Sequence, residues 1–162
     1  MRLYLLLVLG LVGLDQLSKY WIMTTMNLHE MQEVIPGLFN LVYVTNKGAA
    51  FSMFASIDSP VRHYFFITVN SLAAIALTIA AWRMRSQQVF YVAAFSLIAS
   101  GAIGNLVDRL RFGAVIDFLD FYVGPYHWPA FNLADSSICV GVAILLVLNI
   151  AEIKKEKDRR HP

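Results

Sequence analysis

The chain is poor in charged residues and has a single cysteine. Of its 162 residues, 15% are Asp, Glu, Lys or Arg, whereas a soluble domain carries about 25%. Because Cys139 is the only cysteine in the sequence, an intramolecular disulfide and a cysteine metal cluster are excluded. The four histidines are scattered and do not form the His-Glu-x-x-His pattern of zinc peptidases. Glycine-rich phosphate loops are also missing. We therefore expect the chain to bind no metal and no cofactor. A net charge of +2 gives no indication that it binds nucleic acid.

Long apolar runs account for the low charge, since 58% of the residues are hydrophobic. A bilayer core requires about 20 apolar residues per helix. The sequence therefore predicts an all-α integral membrane protein, a single domain over 1–162 that forms a four-helix transmembrane bundle. The first run is expected to stay as a helix and not to be a cleaved signal peptide, because Asp15 interrupts it. The predicted helices cover about 3–24, 61–82, 88–107 and 136–153.

Basic residues predict how the chain is oriented in the membrane. Arg2 precedes the first run, Arg83 and Arg85 connect the second and third, and five lysines and arginines lie in the tail. By the positive-inside rule both termini are cytoplasmic, and the longer connections, about 27–59 and 108–135, lie outside. The expected location is the bacterial cytoplasmic (inner) membrane, with several spans and with the tail against anionic lipid.

The first outer connection contains two β-prone segments, 39–46 and 48–55, around a turn at Asn-Lys-Gly. These segments predict a small β-strand platform lying on the membrane surface. Its apolar residues Phe51, Met53 and Phe54 either contact lipid or an extended ligand, or they seal the bundle. The sequence favours neither interpretation.

Aspartates in or beside the apolar runs are the main functional signal. A charge in hydrocarbon costs about 2.5–3.5 kcal/mol on insertion scales, so such residues usually belong to a working site. When the four helices are placed across the membrane, all five of these aspartates lie toward the outer surface. Two neighbouring carboxyls share one proton, and such a pair activates a water as base and acid to cleave an amide. The five are Asp15, Asp108, Asp117, Asp120 and Asp135.

The residues alone leave open which two form a pair. Asp15 is expected to pair with Lys19 at i+4. Asp135, or Ser136, is also placed to cap the fourth helix. Asp108 is interpreted as half of an interfacial ion pair with Arg109, and Asp120 as a loop residue in contact with solvent. Asp117 has the weakest structural explanation because apolar residues flank it.

Five blocks of the chain resemble those of the bacterial lipoprotein signal peptidase (signal peptidase II) family. They are Asp-Gln-Leu-Ser-Lys (15–19), Asn-Lys-Gly-Ala-Ala-Phe-Ser (46–52), Gly-Ala-Ile-Gly-Asn-Leu-Val-Asp-Arg (101–109), Val-Ile-Asp-Phe (115–118) and Phe-Asn-Leu-Ala-Asp (131–135). Their order and the length of the chain agree with the family. Ser100 departs from it, because the family often has a further glycine there.

The resemblance implies an aspartic endopeptidase that removes the signal peptide of prolipoproteins before a diacylglyceryl-modified cysteine. It implies Asp117 and Asp135 as the catalytic pair. From their surroundings in the sequence we expect Asp117 to have a raised pKa among apolar neighbours and Asp135 to stay ionised at a helix N-terminus. The implied partners are lipidated prolipoprotein signal peptides, membrane lipid and an inhibitor of the globomycin type, with the chain acting as a monomer. The further residues implied to frame the pocket are Asp15, Lys19, Asn46, Gly48, Gly101, Asn105, Asp108, Arg109, Asn132 and Ala134.

The sequence also leaves open two functions other than that of an enzyme. A small proton-coupled transporter would use the acids as a relay, and a non-enzymatic lipoprotein-assembly subunit would not need Asp117 and Asp135 at all. A relay requires polar groups through the whole depth of the bilayer. The inner halves of the predicted helices carry few polar residues apart from Asn70.

Overall fold

The structure, a computed structural model, describes residues 1–48, 60–84 and 88–160. Four long helices dominate it, and each is long and apolar enough to cross a membrane. The predicted four-helix membrane bundle is thus confirmed. The second β-prone segment lies outside the described residues from position 49 onward, as do Phe51, Met53, Phe54 and Arg85. The helices are α1 (Arg2–Thr25), α2 (Pro60–Met84), α3 (Val89–Phe112) and α4 (Leu133–Arg160).

Helix α3 lies at the centre and packs against α1, α2 and α4. Small residues make this close packing possible, because they let neighbouring backbones approach. Ser96 and Ser100 are fully buried along α3. A Cβ atom added at Gly104 would lie 2.5 Å from a carboxylate oxygen of Asp15 in α1. The large apolar side chains of the outer helices are left exposed, as is usual for helices that cross a membrane.

The end of α3 differs from the predicted boundary at 107. The helix continues to Phe112 and stops at Gly113, which adopts a left-handed conformation (φ 73°) that favours glycine. Its N–H donates to the carbonyl of Arg109 at 3.0 Å. Asp108 and Arg109 therefore belong to the last turns of a helix and not to the outer loop.

A four-stranded antiparallel sheet lies at the end of the bundle where α3 stops and α4 begins. Its order is β1-β2-β3-β4, with β1 (Met31–Ile35), β2 (Phe39–Asn46), β3 (Val115–Val123) and β4 (Tyr126–His127). The strand predicted at 39–46 is β2. The platform is larger than the sequence predicted, because the second outer connection supplies β3 and β4.

The pairing of β2 with β3 brings the two outer connections together. Asp117 lies opposite Val44, and Asp120 lies opposite Asn40. Residues 115–118 of β3 are buried on both faces of the strand. A strand buried on both faces shows no alternation of polar and apolar residues. The sequence pattern therefore did not indicate a half-buried strand here.

Candidate active site

Asp117 is held in β3 by two asparagines. Its side chain is buried, with 3% of the residue exposed. Asn132 donates its side-chain N–H to Oδ1 at 2.8 Å, and Asn46 donates to Oδ2 at 3.2 Å. Burial, followed by the negative charge of Asp135, raises the pKa of Asp117 to about 7. This carboxyl therefore loses its proton only around neutral pH, well above the ordinary range of an aspartate.

Asp135 lies in the first turn of α4, and the expectation that it or Ser136 caps this helix is wrong. The helix begins at Leu133, and the cap is Asn132, whose side-chain oxygen accepts the N–H of Asp135 at 3.0 Å. In return, Asp135 Oδ2 accepts the N–H of Asn132 at 3.3 Å. This reciprocal pair is a capping box built from Asn and Asp.

Asn132 consequently contacts both carboxylates. Its side-chain nitrogen bonds Asp117, while its backbone N–H and side-chain oxygen bond Asp135. Asn105 of α3 adds a bond of 2.8 Å to Asp135 Oδ1. The two acids thus share one asparagine, although one comes from strand β3 and the other from helix α4.

The two acids also line one cavity of about 590 Å³. Its wall combines a few polar groups with a large apolar surface, as ligand sites usually do. The remaining polar residues are Asn46, Asn105, Arg109 and Ser136. The apolar part comes from the segment after β4 and from the first turns of α4: Trp128, Pro129, Ala130, Phe131, Ile138, Cys139 and Val140, together with Val115 and Gly48.

Beneath the cavity, an Asp–Lys–Asp cluster is buried between α1 and α3. Lys19 Nζ lies 2.8 Å from Asp15 Oδ2 and 2.7 Å from Asp108 Oδ2, and all three residues are at most 1% exposed. The predicted Asp15–Lys19 pair is confirmed. The interpretation of Asp108 and Arg109 as an interfacial ion pair is wrong, because Asp108 is fully buried and pairs with Lys19.

The cluster also holds the backbone next to each candidate catalytic acid. Asp108 Oδ2 accepts the N–H of Ile116 at 3.2 Å, one residue before Asp117. Asp15 Oδ1 accepts the N–H of Ala134 at 3.0 Å, one residue before Asp135. A single buried network therefore positions β3 and the start of α4 together.

Gln16 is a member of this network that the sequence reasoning missed. Its side-chain nitrogen lies 2.8 Å from Asp108 Oδ1, 3.2 Å from Asp15 Oδ2 and 3.2 Å from the carbonyl oxygen of Gly104. The available signal was its place in the Asp-Gln-Leu-Ser-Lys block. A glutamine one residue after an acid does not by itself indicate a bridge between two helices.

Arg109 and Gly101 secure other parts of the cavity. Arg109 donates to the carbonyl of Gly48 at 3.0 Å and to that of Asn105 at 3.3 Å, and its guanidinium lies 5.0 Å from the ring centre of Phe66. It thus fixes the end of β2 against α3. Gly101 packs directly on the backbone carbonyl of Ala134, so α3 and α4 touch beside Asp135.

Asp120 is not part of this site, and it is not a solvent-exposed loop residue either. It is buried in β3, where Asn40 donates to Oδ2 at 2.8 Å and His127 Nδ1 lies 3.0 Å from the carboxylate. These contacts join β2, β3 and β4. Asp120 therefore stabilises the sheet away from the cavity that Asp117 and Asp135 line.

Comparison with known proteins gives a consistent result over nearly the whole chain. Residues 7–151 match the family model described as signal peptidase (SPase) II. The lipoprotein signal peptidase of Geobacter sulfurreducens is 47% identical over 96% of both chains, and that of Desulforapulum autotrophicum is 49% identical over 84% of both. A solved structure described as a bacterial membrane enzyme superposes with a TM-score of 0.80 at 32% identity, covering 100% of this chain and 94% of the other.

Proposed function

Because this chain belongs to the signal peptidase II family, we propose that Asp117 and Asp135 are the catalytic pair of an aspartic endopeptidase. The family assignment makes the chain a multi-pass bacterial membrane hydrolase that cleaves signal peptides from prolipoproteins. It supports the enzyme over the two alternatives, a transporter and a non-enzymatic assembly subunit. The finer proposal is that cleavage occurs before a diacylglyceryl-modified cysteine and that it uses no metal.

One observation carries the aspartic mechanism, namely that Asn132 bonds both carboxylates at the edge of one cavity. The environments of the two acids differ as an acid and a base require. Asp117 is surrounded by buried strand residues, and its pKa is raised to about 7. Asp135 lies in the first turn of α4, where it accepts the backbone N–H of Asn132 at 3.3 Å and the side-chain N–H of Asn105 at 2.8 Å.

The proposed chemistry uses Asp117 as the acid and Asp135 as the base. Asp135 takes a proton from a water held between the acids, and the resulting hydroxide attacks the scissile carbonyl carbon. Asp117 gives its proton to the carbonyl oxygen, so that a neutral tetrahedral intermediate forms. The intermediate collapses as Asp135 returns its proton to the departing amine and Asp117 recovers a proton from the intermediate's hydroxyl. The net reaction adds one water across the amide bond.

The placement of the site suits a substrate that is itself embedded in the membrane. The sheet, both acids and the cavity lie at the end of the bundle opposite Arg2, Arg83 and the basic tail of α4. With those basic residues in the cytoplasm, both termini are cytoplasmic and the site lies toward the outer face. The proposed enzyme acts as a monomer, since one chain supplies both acids. A globomycin-type inhibitor and membrane lipid would compete for the cavity with the lipidated substrate.

The experiment compares three single replacements of aspartate by asparagine. Asp117→Asn and Asp135→Asn are each expected to lower the rate on a lipidated prolipoprotein by about a hundredfold or more, because each removes a general acid or base. Asp120→Asn is the matched control, because it changes a buried aspartate of the same strand as Asp117 outside the cavity. Near-parent activity in either dyad variant would refute the mechanism.

A further inference from the structure

A second apolar groove continues from the catalytic cavity along α4. It encloses about 480 Å³ and is lined by Phe90 of α3 and by five residues of α4: Val140, Ala143, Ile144, Val147 and Leu148. Val140 lines both the groove and the cavity that contains Asp117 and Asp135. We call this feature the α3–α4 groove. It carries no polar side chain, so its occupant must be apolar.

The α3–α4 groove is open to the side of the bundle. Helix α3 packs against both α2 and α4, whereas α2 and α4 make little contact with each other in the part of the chain that the structure describes. Phe90, Val140 and Val147 are all exposed. A molecule that moves within the membrane plane can therefore reach the groove from the side of the bundle, and the groove shares Val140 with the cavity.

The depth of the groove distinguishes two apolar occupants. Leu148 lies about 20 Å along α4 from Asp135, at 1.5 Å per residue. Just beyond it, Gln88 donates to Glu152 at 2.9 Å and marks the inner polar boundary. With Asp135 at the outer boundary of a hydrocarbon core about 30 Å thick, the groove passes the midplane. An acyl chain of the outer leaflet ends near the midplane, whereas a peptide helix of about 15 apolar residues, roughly 22 Å long, continues past it.

We propose that the α3–α4 groove binds the apolar helix of the substrate's signal peptide while the scissile bond lies at Asp117 and Asp135. This inference rests on the proposed function. The apolar core of a signal peptide has about 7–15 residues, which as a helix span about 10–22 Å. In lipid such a helix gains little from the hydrophobic effect and associates through close packing, for which Ala143 leaves room in the groove.

The test fills the groove without touching the cavity. Val147→Trp adds bulk inside the groove, and Leu146→Trp is the matched control because Leu146 is also exposed but does not line it. Each purified full-length variant is assayed with two lipidated substrates. One carries the whole signal peptide, and the other is truncated so that it lacks the apolar core. Val147→Trp is expected to raise KM about tenfold for the whole substrate, with KM for the truncated substrate and both kcat values unchanged. Leu146→Trp is expected to change neither KM.

Binding of the uncleaved signal helix gives a readout that does not depend on catalysis. A fluorescent signal peptide that ends at the cleavage site is expected to bind Val147→Trp about tenfold more weakly than the parent or Leu146→Trp. Equal binding to all three proteins would overturn the inference and leave only lipid in the groove. An equal rise of KM for both substrates would also overturn it, because the lipid tails would then be the occupant. Loss of all cleavage by the parent, with the binding difference intact, would contradict the proposed function alone.

Discussion

A single side chain, Asn132, links the two acids and also caps the helix that carries one of them. The capping role accounts for helix stability, while the bond to Asp117 is separate and has no capping function. Removal of the side chain therefore affects stability and catalysis to different degrees.

Asn132→Ala is expected to lower the rate by about a hundredfold, because the dyad loses its shared donor and its alignment. The lost cap costs about 0.5–2 kcal/mol, so the melting temperature should fall by only a few degrees. Ser137→Ala is the control, since that hydroxyl bonds only the carbonyl of Leu133 and lies outside the cavity. The measurement pairs kcat with a thermal melt. A rate that falls only in proportion to the folded fraction would assign Asn132 a purely structural role.

How far individual residues could be predicted depended on how local their contacts are. The Asp15–Lys19 pair follows from a spacing of four residues in a helix, and the sequence predicted it correctly. The contacts of Asp108 with Lys19 and of Asp120 with Asn40 join segments far apart in the chain. No local pattern gives such partners, so both aspartates were assigned to surface roles although both are buried.

Among the secondary-structure elements, the apolar helices were predictable and strand β3 was not. About 20 apolar residues without a charge have one stable arrangement in lipid, which fixes α2 and most of α3. Strand β3 is defined instead by its pairing with β2, from the other outer connection. Its buried stretch lacks alternation, so its identity as a strand depended on a partner that the local sequence does not reveal.

The contact of α3 with α4 sets the position of Asp135, and it depends on Gly101. A Cβ atom at this position would overlap the carbonyl of Ala134 and the side chain of Ile138. Gly101→Ala is expected to push α4 outward, at a cost of about 1–3 kcal/mol from overpacking, and to lower kcat because Asp135 moves.

The control for this change is available in α1. Within the part of the chain that the structure describes, a Cβ atom added at Gly10 or Gly13 would meet nothing within 4 Å beyond its own helix and chain neighbours. Gly10→Ala and Gly13→Ala should leave the rate unchanged and stabilise the helix slightly, by about 0.5–1 kcal/mol at most. Thermal melts and kcat of the three variants are compared. If all three behave alike, the close approach at Gly101 does not position the site.

Across the entire fold, the Asp15–Lys19–Asp108 cluster joins α1, α3, β3 and α4. It bonds the backbone at Ile116 and at Ala134, so both halves of the dyad depend on it. The cluster contains two acids and one lysine, and the lysine Nζ lies between the two carboxyl groups. Loss of the lysine leaves two buried carboxylates facing each other.

Lys19→Met is expected to destabilise the protein by about 3–5 kcal/mol, because a buried charge network loses a partner. Lys47→Met serves as the control, since Lys47 is exposed on the connection after β2. Denaturation in detergent measures both variants. A loss in Lys19→Met no larger than in Lys47→Met would mean that the cluster does not hold the two halves together.

Asp117 and Asp135 are proposed to act as one pair in which Asp117 carries the proton. The most direct measurement is the titration of the Asp117 carboxyl by difference infrared spectroscopy, in the parent and in Asp135→Asn, with Asp117→Asn to identify the band. Burial and the charge of Asp135 both raise the pKa of Asp117, so the parent should lose its protonated band as the pH rises through about 7. In Asp135→Asn the band should disappear at lower pH, because one of the two causes is gone, while burial keeps the pKa above its ordinary value. An Asp117 that titrates in the ordinary carboxyl range, with the same midpoint in both proteins, would contradict the account.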